Sequence, residues 1–328
     1  MRRVLILGGT AEARALAASL ASRPGLHVVS SLAGRVSNPR LPVGEVREGG
    51  FGGAEGLAAF LLDERIDALV DATHPFAECM TASAAAASSA TGVPLLVLRR
   101  PGWQESEGDA WQRVNTLHAA AALLTTDAWR TPTPTTPAAP ATSAAIDTTP
   151  TAPAATAATD ATSTPAASAL TAATATHASA APAAFTAPAA PAAPAAPATI
   201  ADLTATTAPT RVFLTTGRRS LPLFTGIPGV WLLARSVDPP EPPIPPNVHI
   251  LLARGPYTPE GERTLIQQHH LNVLITKDSG GDLTSAKLTA ARDLALPVIM
   301  VNRPPLPPGV HLVDTVAAAT SWAAEPQG

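Results

Sequence analysis

Between residues 131 and 210 the chain places 33 Ala, 21 Thr, 13 Pro and 4 Ser in 80 positions, a composition that cannot build a hydrophobic core. The stretch holds one aromatic, Phe185, and three charges, Asp147, Asp160 and Asp202. Alanine favours helix, but proline recurs too often for long helices. The segment therefore reads as a long disordered linker, tolerated because the cost of closing a loop grows only slowly with its length. Without it 248 of the 328 residues remain. That is enough for two modest α/β domains with real cores, expected over residues 1–130 and 211–328.

Charge and cysteine usage narrow the function. A formal net charge of −3 and a pI near 6.2 argue against a nucleic-acid binder held by bulk charge. The single cysteine, Cys79, excludes a disulfide scaffold and a Cys-based zinc site, and no metal is expected. After Met1-Arg2-Arg3 only Val4 to Leu7 are apolar before Gly8, too short for a signal peptide. No run approaches the roughly 20 apolar residues of a membrane span. A soluble cytoplasmic protein with no membrane partner is expected.

Val4-Leu5-Ile6-Leu7 reads as a parallel strand buried on both faces. Gly8-Gly9-Thr10 and a helix from Ala11 follow. Strand, glycine turn and helix together make a phosphate cradle, because backbone N–H groups and the helix dipole point at an anion. The match to the dinucleotide fingerprint is partial: Gly8 fits, whereas Thr10 and Ala13 stand where further glycines are usual. The next strand, His27 to Ser31, ends where an NAD site usually has Asp or Glu. Here stand Ser30, Ser31, Gly34 and Arg35. Hydroxyls and a guanidinium suit a 2′-phosphate, which favours NADPH over NADH. The loop Gly49-Gly50-Phe51-Gly52-Gly53 precedes another helix, and Gly50, Phe51 and Gly52 are assigned to a substrate loop. The strand Ala68 to Asp71 runs into Ala72-Thr73-His74-Pro75-Phe76, with a helix expected from Phe76 to Thr91. Asp71, Thr73 and His74 thus stand at the carboxyl end of a parallel strand, where open α/β sheets bind ligands, and are assigned to the cofactor.

The second half repeats the pattern. Strands are expected at Arg211–Leu214, Val230–Ala234, Val248–Ala253, Asn272–Thr276 and Pro297–Val301, alternating with helices. Arg218, after Gly217, stands with Arg254 and Lys277 at three strand ends, a clustering that suits a ligand with several carboxylates. Ser279, Gly280 and Gly281 join Gly217, Arg218 and Arg254 as candidate substrate residues. The halves also echo one another: strand, polar cluster, helix, strand and Arg100-Pro101 correspond to the same series ending in Arg303-Pro304. Two such sheets facing each other would form a cleft.

Twenty of the 22 basic residues are Arg; the only lysines are Lys277 and Lys287. Arginine serves better for mere carboxylate binding, whereas lysine changes protonation state readily. Lys277 with the adjoining Asp278 is therefore assigned to catalysis, stabilising charge and sharing a proton at the reacting carbon. Lys287 is assigned to a substrate carboxylate or to capping the Asp278 loop.

Taken in order, these segments resemble the precorrin-6A reductase and cobalt-precorrin-6A reductase family. The matching words are Leu5-Ile6-Leu7-Gly8-Gly9-Thr10-Ala11-Glu12-Ala13, Ser31-Leu32-Ala33-Gly34-Arg35 and Gly49-Gly50-Phe51-Gly52-Gly53. Asp71-Ala72-Thr73-His74-Pro75-Phe76-Ala77, Leu214-Thr215-Thr216-Gly217-Arg218 and Ala253-Arg254-Gly255-Pro256 follow. Thr276-Lys277-Asp278-Ser279-Gly280-Gly281 and Ala286-Lys287-Leu288 complete the set. The resemblance implies two Rossmann-like or flavodoxin-like domains, the first for NADPH and the second for substrate. It implies hydride transfer to a conjugated C=C/C=N system of a tetrapyrrole bearing many carboxylates, without a metal, and hand-over to neighbouring cobalamin-pathway enzymes. The linker departs from the compact family form. Two alternatives stay open. One is a non-catalytic NADP-binding sensor whose linker docks a partner. The other, a short-chain reductase, is weakened because Tyr257, the only Tyr, has no Lys four residues on.

Overall fold

The structure is a computed structural model and describes residues 1–34, 40–126, 128–130 and 208–325. Arg35 and the Ala/Thr/Pro-rich segment through residue 207 lie outside the described residues. Thr210, assigned to the linker by composition, already belongs to a strand: it is 8% exposed and its N–H donates to the Gly229 carbonyl (2.8 Å).

The continuous apolar runs become central strands because both faces are covered. In chain order the first elements are β1 (Arg2–Leu7), α1 (Ala11–Ala21), β2 (Leu26–Leu32) and β3 (Glu45–Glu48). Next come α2 (Ala54–Asp63), β4 (Ala68–Asp71), α3 (Glu78–Thr91) and β5 (Leu95–Leu98). Val4 and Ile6 pack toward α1 and the C-terminal helix, through Leu16, Leu20, Ala319 and Ala323. Leu5 and Leu7 pack toward α2 and α3, through Leu57, Leu61 and Ala84. Alternate residues of one strand thus serve two helical layers.

The chain then crosses over. It forms β6 (Trp111–Val114), α4 (Leu117–Thr126), β7 (Thr210–Leu214), α5 (Pro222–Thr225), β8 (Val230–Ser236) and β9 (Val248–Leu252). These are followed by α6 (Pro259–Gln268), β10 (Val273–Lys277), α7 (Ala286–Asp293) and β11 (Val298–Val301). A second crossover leads to β12 (His311–Val313) and α8 (Val316–Ala324). Here Val212 and Leu214 pack with Ala120, Leu124 and Phe224, while Phe213 packs with Ile266 and Leu288 on the opposite face.

Among the described residues the strands form two six-stranded sheets, ordered β12-β5-β4-β1-β2-β3 and β6-β11-β10-β7-β8-β9, with every pairing parallel. Read from its far edge, the first sheet has the doubly wound order, whose direction of progression reverses between β1 and β4. The second reverses in the same way between β7 and β10. The sheets do not respect the linear boundaries expected from the sequence. β6 comes from the first half and closes the second sheet; β12 comes from the last residues and closes the first.

The two crossover segments lie against each other. Arg99 Nη1 donates to the Pro304 carbonyl (3.2 Å), and Arg303 donates to the carbonyls of Arg100 (2.6 Å) and Pro101 (2.9 Å). The Arg-Pro echo in the sequence marks these crossings. Among the described residues no helix is long and apolar enough to span a membrane.

Candidate functional site

Apart from the loop after β3 and Arg254 after β9, which stand at sheet edges, most of the residues singled out by sequence stand at the two places where strand order reverses. At the first, the Gly8 N–H donates to the Ser31 carbonyl (2.9 Å), and Gly9 has no atom within 4 Å of where a Cβ would stand. Thr10 caps α1: its Oγ1 accepts from the Ala13 N–H (3.1 Å) and donates to the Ala72 carbonyl (2.7 Å). One side chain therefore starts the helix and staples the first loop to the loop after β4. Asp71 is buried, with Oδ1 accepting from the N–H and hydroxyl of Thr73 (3.0 and 2.6 Å) and Oδ2 from the Thr81 hydroxyl (2.6 Å). Asp71 and Thr73 shape this loop with bonds to each other.

His74, Pro75 and Phe76 form a turn in place of the expected first helical residues. The Ala77 N–H donates to the His74 carbonyl (2.7 Å), the Phe76 N–H donates to His74 Nδ1 (3.2 Å), and α3 starts only at Glu78. The turn frees Phe76 to pack against the apolar cluster of the second sheet. Desolvation first, then Arg100, Lys277, Arg303 and Lys287, lower the His74 pKa to about 3. The side chain also reaches water, and the four cations around it oppose its protonation. His74 is neutral at physiological pH.

Glu12, in the first turn of α1, would repel a phosphate. Arg100 removes that objection: its Nη1 lies 2.8 Å from Glu12 Oε2, and its Nε donates to the Ser279 carbonyl (2.8 Å). The open glycine turn, the helix start and the compensated carboxylate fit the diphosphate of a nucleotide. At the end of β2, Ser31 Oγ accepts from Arg47 Nη1 (3.1 Å), and Gly34 follows with no atom within 4 Å of a Cβ position. The loop with Gly50, Phe51 and Gly52 follows β3, two strands from the reversal point and on the side of Ser31.

At the second reversal point, Gly217 leads into Arg218, whose Nη1 donates to the Pro239 carbonyl (3.3 Å) and lies 3.7 Å from Asp238. Arg254 is exposed beyond β9. Lys277 ends β10 with its Nζ 5.2 Å from the centre of the Phe76 ring. Burial lowers its pKa, and its ammonium makes no hydrogen bond or ion pair among the described residues.

Asp278 does not turn to Lys277. Its buried carboxylate accepts from the Trp103 N–H (2.9 Å) and Arg113 Nη1 (3.3 Å), and its carbonyl accepts from Arg303 Nε (2.8 Å). The residue anchors the first crossover, which leaves the proposed proton sharing with Lys277 without a contact. Gly280 and Gly281 are equally tied to the crossovers, against Pro101 and Arg100. Lys287 is buried: its Nζ donates to the Thr284 carbonyl (2.9 Å) and lies 4.8 Å from the Trp103 ring centre. Desolvation and Arg235 lower its pKa to about 7, against the opposing pull of Glu262. That geometry is loop capping, not contact with a solvent-borne carboxylate.

The sequence pattern assigns no role to Arg47, Arg100, Trp103 or Arg303, although the Arg-Pro echo is a signal that already marks Arg100 and Arg303. Arg47 left none, because its partners are a hydroxyl and backbone carbonyls.

Against known proteins, the sequence model of the family described as precorrin-6x reductase CbiJ/CobK matches residues 3–141 and 154–324. The chain belongs to this precorrin-6x reductase family. The family member of Rhodococcus erythropolis, a precorrin-6A reductase, is 42% identical over 322 residues, covering 98% of this chain and 97% of its own. The precorrin-6A reductase of Mycobacterium tuberculosis H37Rv is 38% identical over 325 residues, covering 99% and 98%. A solved structure of CobK precorrin-6A reductase superposes with a TM-score of 0.69 at 32% identity and covers all of both chains. CbiJ/CobK membership makes the chain an oxidoreductase of cobalamin biosynthesis.

Proposed function

We propose that the chain reduces the precorrin-6A macrocycle, or its cobalt form, with NADPH as the hydride source. The observation that carries the reading is Lys277. Its ammonium stands at a strand end of the second sheet with no carboxylate partner among the described residues, 5.2 Å from the centre of the Phe76 ring. A cation so held is available to a ligand.

Bound NADPH supplies a hydride to one carbon of a conjugated C=C/C=N system. The chain's own residues do the rest. The Gly8-Gly9-Thr10 turn and the start of α1 hold the diphosphate, with Glu12 neutralised by Arg100. Arg218 and Arg254 meet carboxylate arms of the substrate. Lys277 stabilises the charge that develops on the macrocycle and delivers the proton that completes reduction to the dihydro product. Its lowered pKa favours that delivery. His74, neutral among cations, leaves the positive charge at Lys277 undivided.

Purified protein mixed with NADPH and precorrin-6A tests this directly. NADPH oxidation that requires the macrocycle, with a product two mass units heavier by two hydrogens, is the expected result. NADPH binding without turnover on precorrin-6A or cobalt-precorrin-6A would leave the chain a nucleotide sensor instead.

A further inference from the structure

Arg47 is held in a way that a simple surface arginine is not. It pairs in register with Ser31 across β2 and β3. Its Nη1 donates to Ser31 Oγ (3.1 Å) and to the Gly49 carbonyl (3.1 Å), and its Nη2 donates to the Gly50 carbonyl (3.2 Å). The guanidinium carbon lies 3.9 Å from the Phe51 ring centre and 5.1 Å from that of Phe60. All these partners are neutral. Among the described residues no carboxylate forms an ion pair with Arg47, so its full charge is left for a ligand. A guanidinium has five N–H donors, and the bonds above engage three of them, leaving Nε–H and one Nη2–H.

The placement matters as much as the charge. Ser31 is in register with Leu7, the last residue before the Gly8-Gly9-Thr10 turn. Neighbouring strands are about 4.8 Å apart, so Arg47 on β3 stands roughly two strand spacings from the diphosphate cradle. In a doubly wound sheet the ribose next to the diphosphate is met at the end of the second strand. A phosphate on that ribose would lie beside Ser31 and be within reach of the next strand.

We propose that Arg47, seated on Ser31 and Phe51, recognises the adenosine 2′-phosphate and selects NADPH over NADH, whether or not Arg35, outside the described residues, joins it. The Gly49–Phe51 loop is then a wall of the adenosine pocket and not part of the macrocycle site. The inference rests on the nucleotide reading made above.

Calorimetric titration of NADPH, NADH and adenosine 2′,5′-bisphosphate into wild type, Arg47→Met and Arg47→Lys tests it without any turnover. A charge-assisted contact is worth about 10- to 150-fold in affinity. Arg47→Met should lose at least tenfold for NADPH and for the bisphosphate while NADH changes less than twofold. Arg47→Lys should fall between, keeping the charge and losing the fork. The unchanged NADH affinity reports that the variant is folded and its cradle intact. An equal loss for NADPH and NADH would make Arg47 a positioning residue for the glycine loop and overturn the proposal, as would unchanged NADPH affinity. A wild-type chain that binds neither NADPH nor the bisphosphate sinks the nucleotide reading itself, which is a distinct failure.

Discussion

Gly280 separates a structural from a substrate-facing reading of the loop after β10. The sequence pattern assigns it to substrate; the structure packs it against the first crossover. A Cβ at Gly280 would stand 2.1 Å from the Pro101 carbonyl oxygen and 2.3 Å from Arg303 Nη2, and the residue has φ +65°. Gly280→Ala therefore meets two costs. A non-glycine residue in the left-handed region costs about 1–2 kcal/mol. The carbonyl that must move is the one accepting from Arg303 Nη2 at 2.9 Å. Losing a hydrogen bond to a charged donor costs about 1.5–3 kcal/mol. The combined expectation is about 2.5–5 kcal/mol, or a fall in Tm of roughly 5–20 °C for a chain with this much folded structure.

The control is Gly229→Ala. Gly229 has φ +71° but no atom within 4 Å of a Cβ position, so it carries the backbone cost alone. Paired urea and thermal unfolding of the two variants should show Gly280→Ala the less stable by at least about 1.5 kcal/mol. A Gly280→Ala variant as stable as Gly229→Ala, with a raised KM for the macrocycle, would refute the packing argument and restore the substrate assignment.

Other outcomes follow from the same geometry. Lys277→Arg keeps the charge but places a group that cannot release a proton, so kcat should fall at least tenfold, about 1.4 kcal/mol or more, with melting unchanged; steady-state kinetics showing wild-type kcat would remove Lys277 from the chemistry. For His74 the folded pKa of about 3 lies below the unfolded 6.5, so the unfolded chain binds the extra proton between those values. Stability contributed by neutral His74 is thus full above pH 6.5 and lost as pH falls toward 3. His74→Asn should flatten that part of the urea-unfolding pH profile, and parallel profiles would contradict the lowered pKa. Deleting residues 135–205, nearly all of them small, should change turnover by less than about twofold, since loop length alone alters closure cost little; loss of turnover by a folded deletion variant would show that the segment takes part in function.

Apart from the edge strand β9, the strands legible in the sequence are central ones covered on both faces. Val4 to Leu7 and Val298 to Val301 are wholly apolar and wholly buried. The strands that escaped reading are β3, β6 and β12, each at a sheet edge. Glu45-Val46-Arg47-Glu48 carries three charges in four residues, which suits an edge with one neighbour and no second sheet partner to pair with. The same omission hid the exchange itself, because β6 and β12 are the strands that each half lends to the other sheet. Loops at strand ends were legible as site candidates, since glycines, hydroxyls and basic residues at those positions point to a ligand. Whether each residue faces the ligand or its own backbone was not legible. Asp71, Asp278, Gly280 and Lys287 all turn inward, and the partners that hold them are backbone groups, neighbouring threonines or arginines far along the chain.

Arg100 shows why the exchanged strands and the site belong to one account. It stands in the first crossover, yet its guanidinium joins Glu12 at the start of α1 to the Ser279 carbonyl beyond β10, and its own carbonyl accepts from Arg303 of the second crossover. The loops at both reversal points are thus tied to the segments that carry β6 and β12 to the opposite sheets. An arginine that only paired with Glu12 at the surface would contribute little, because exposed ion pairs are worth about 0–1 kcal/mol. This one also neutralises the carboxylate in the first turn of α1 and adds positive charge around His74. The crossing therefore sets the electrostatics of the site as well as its shape.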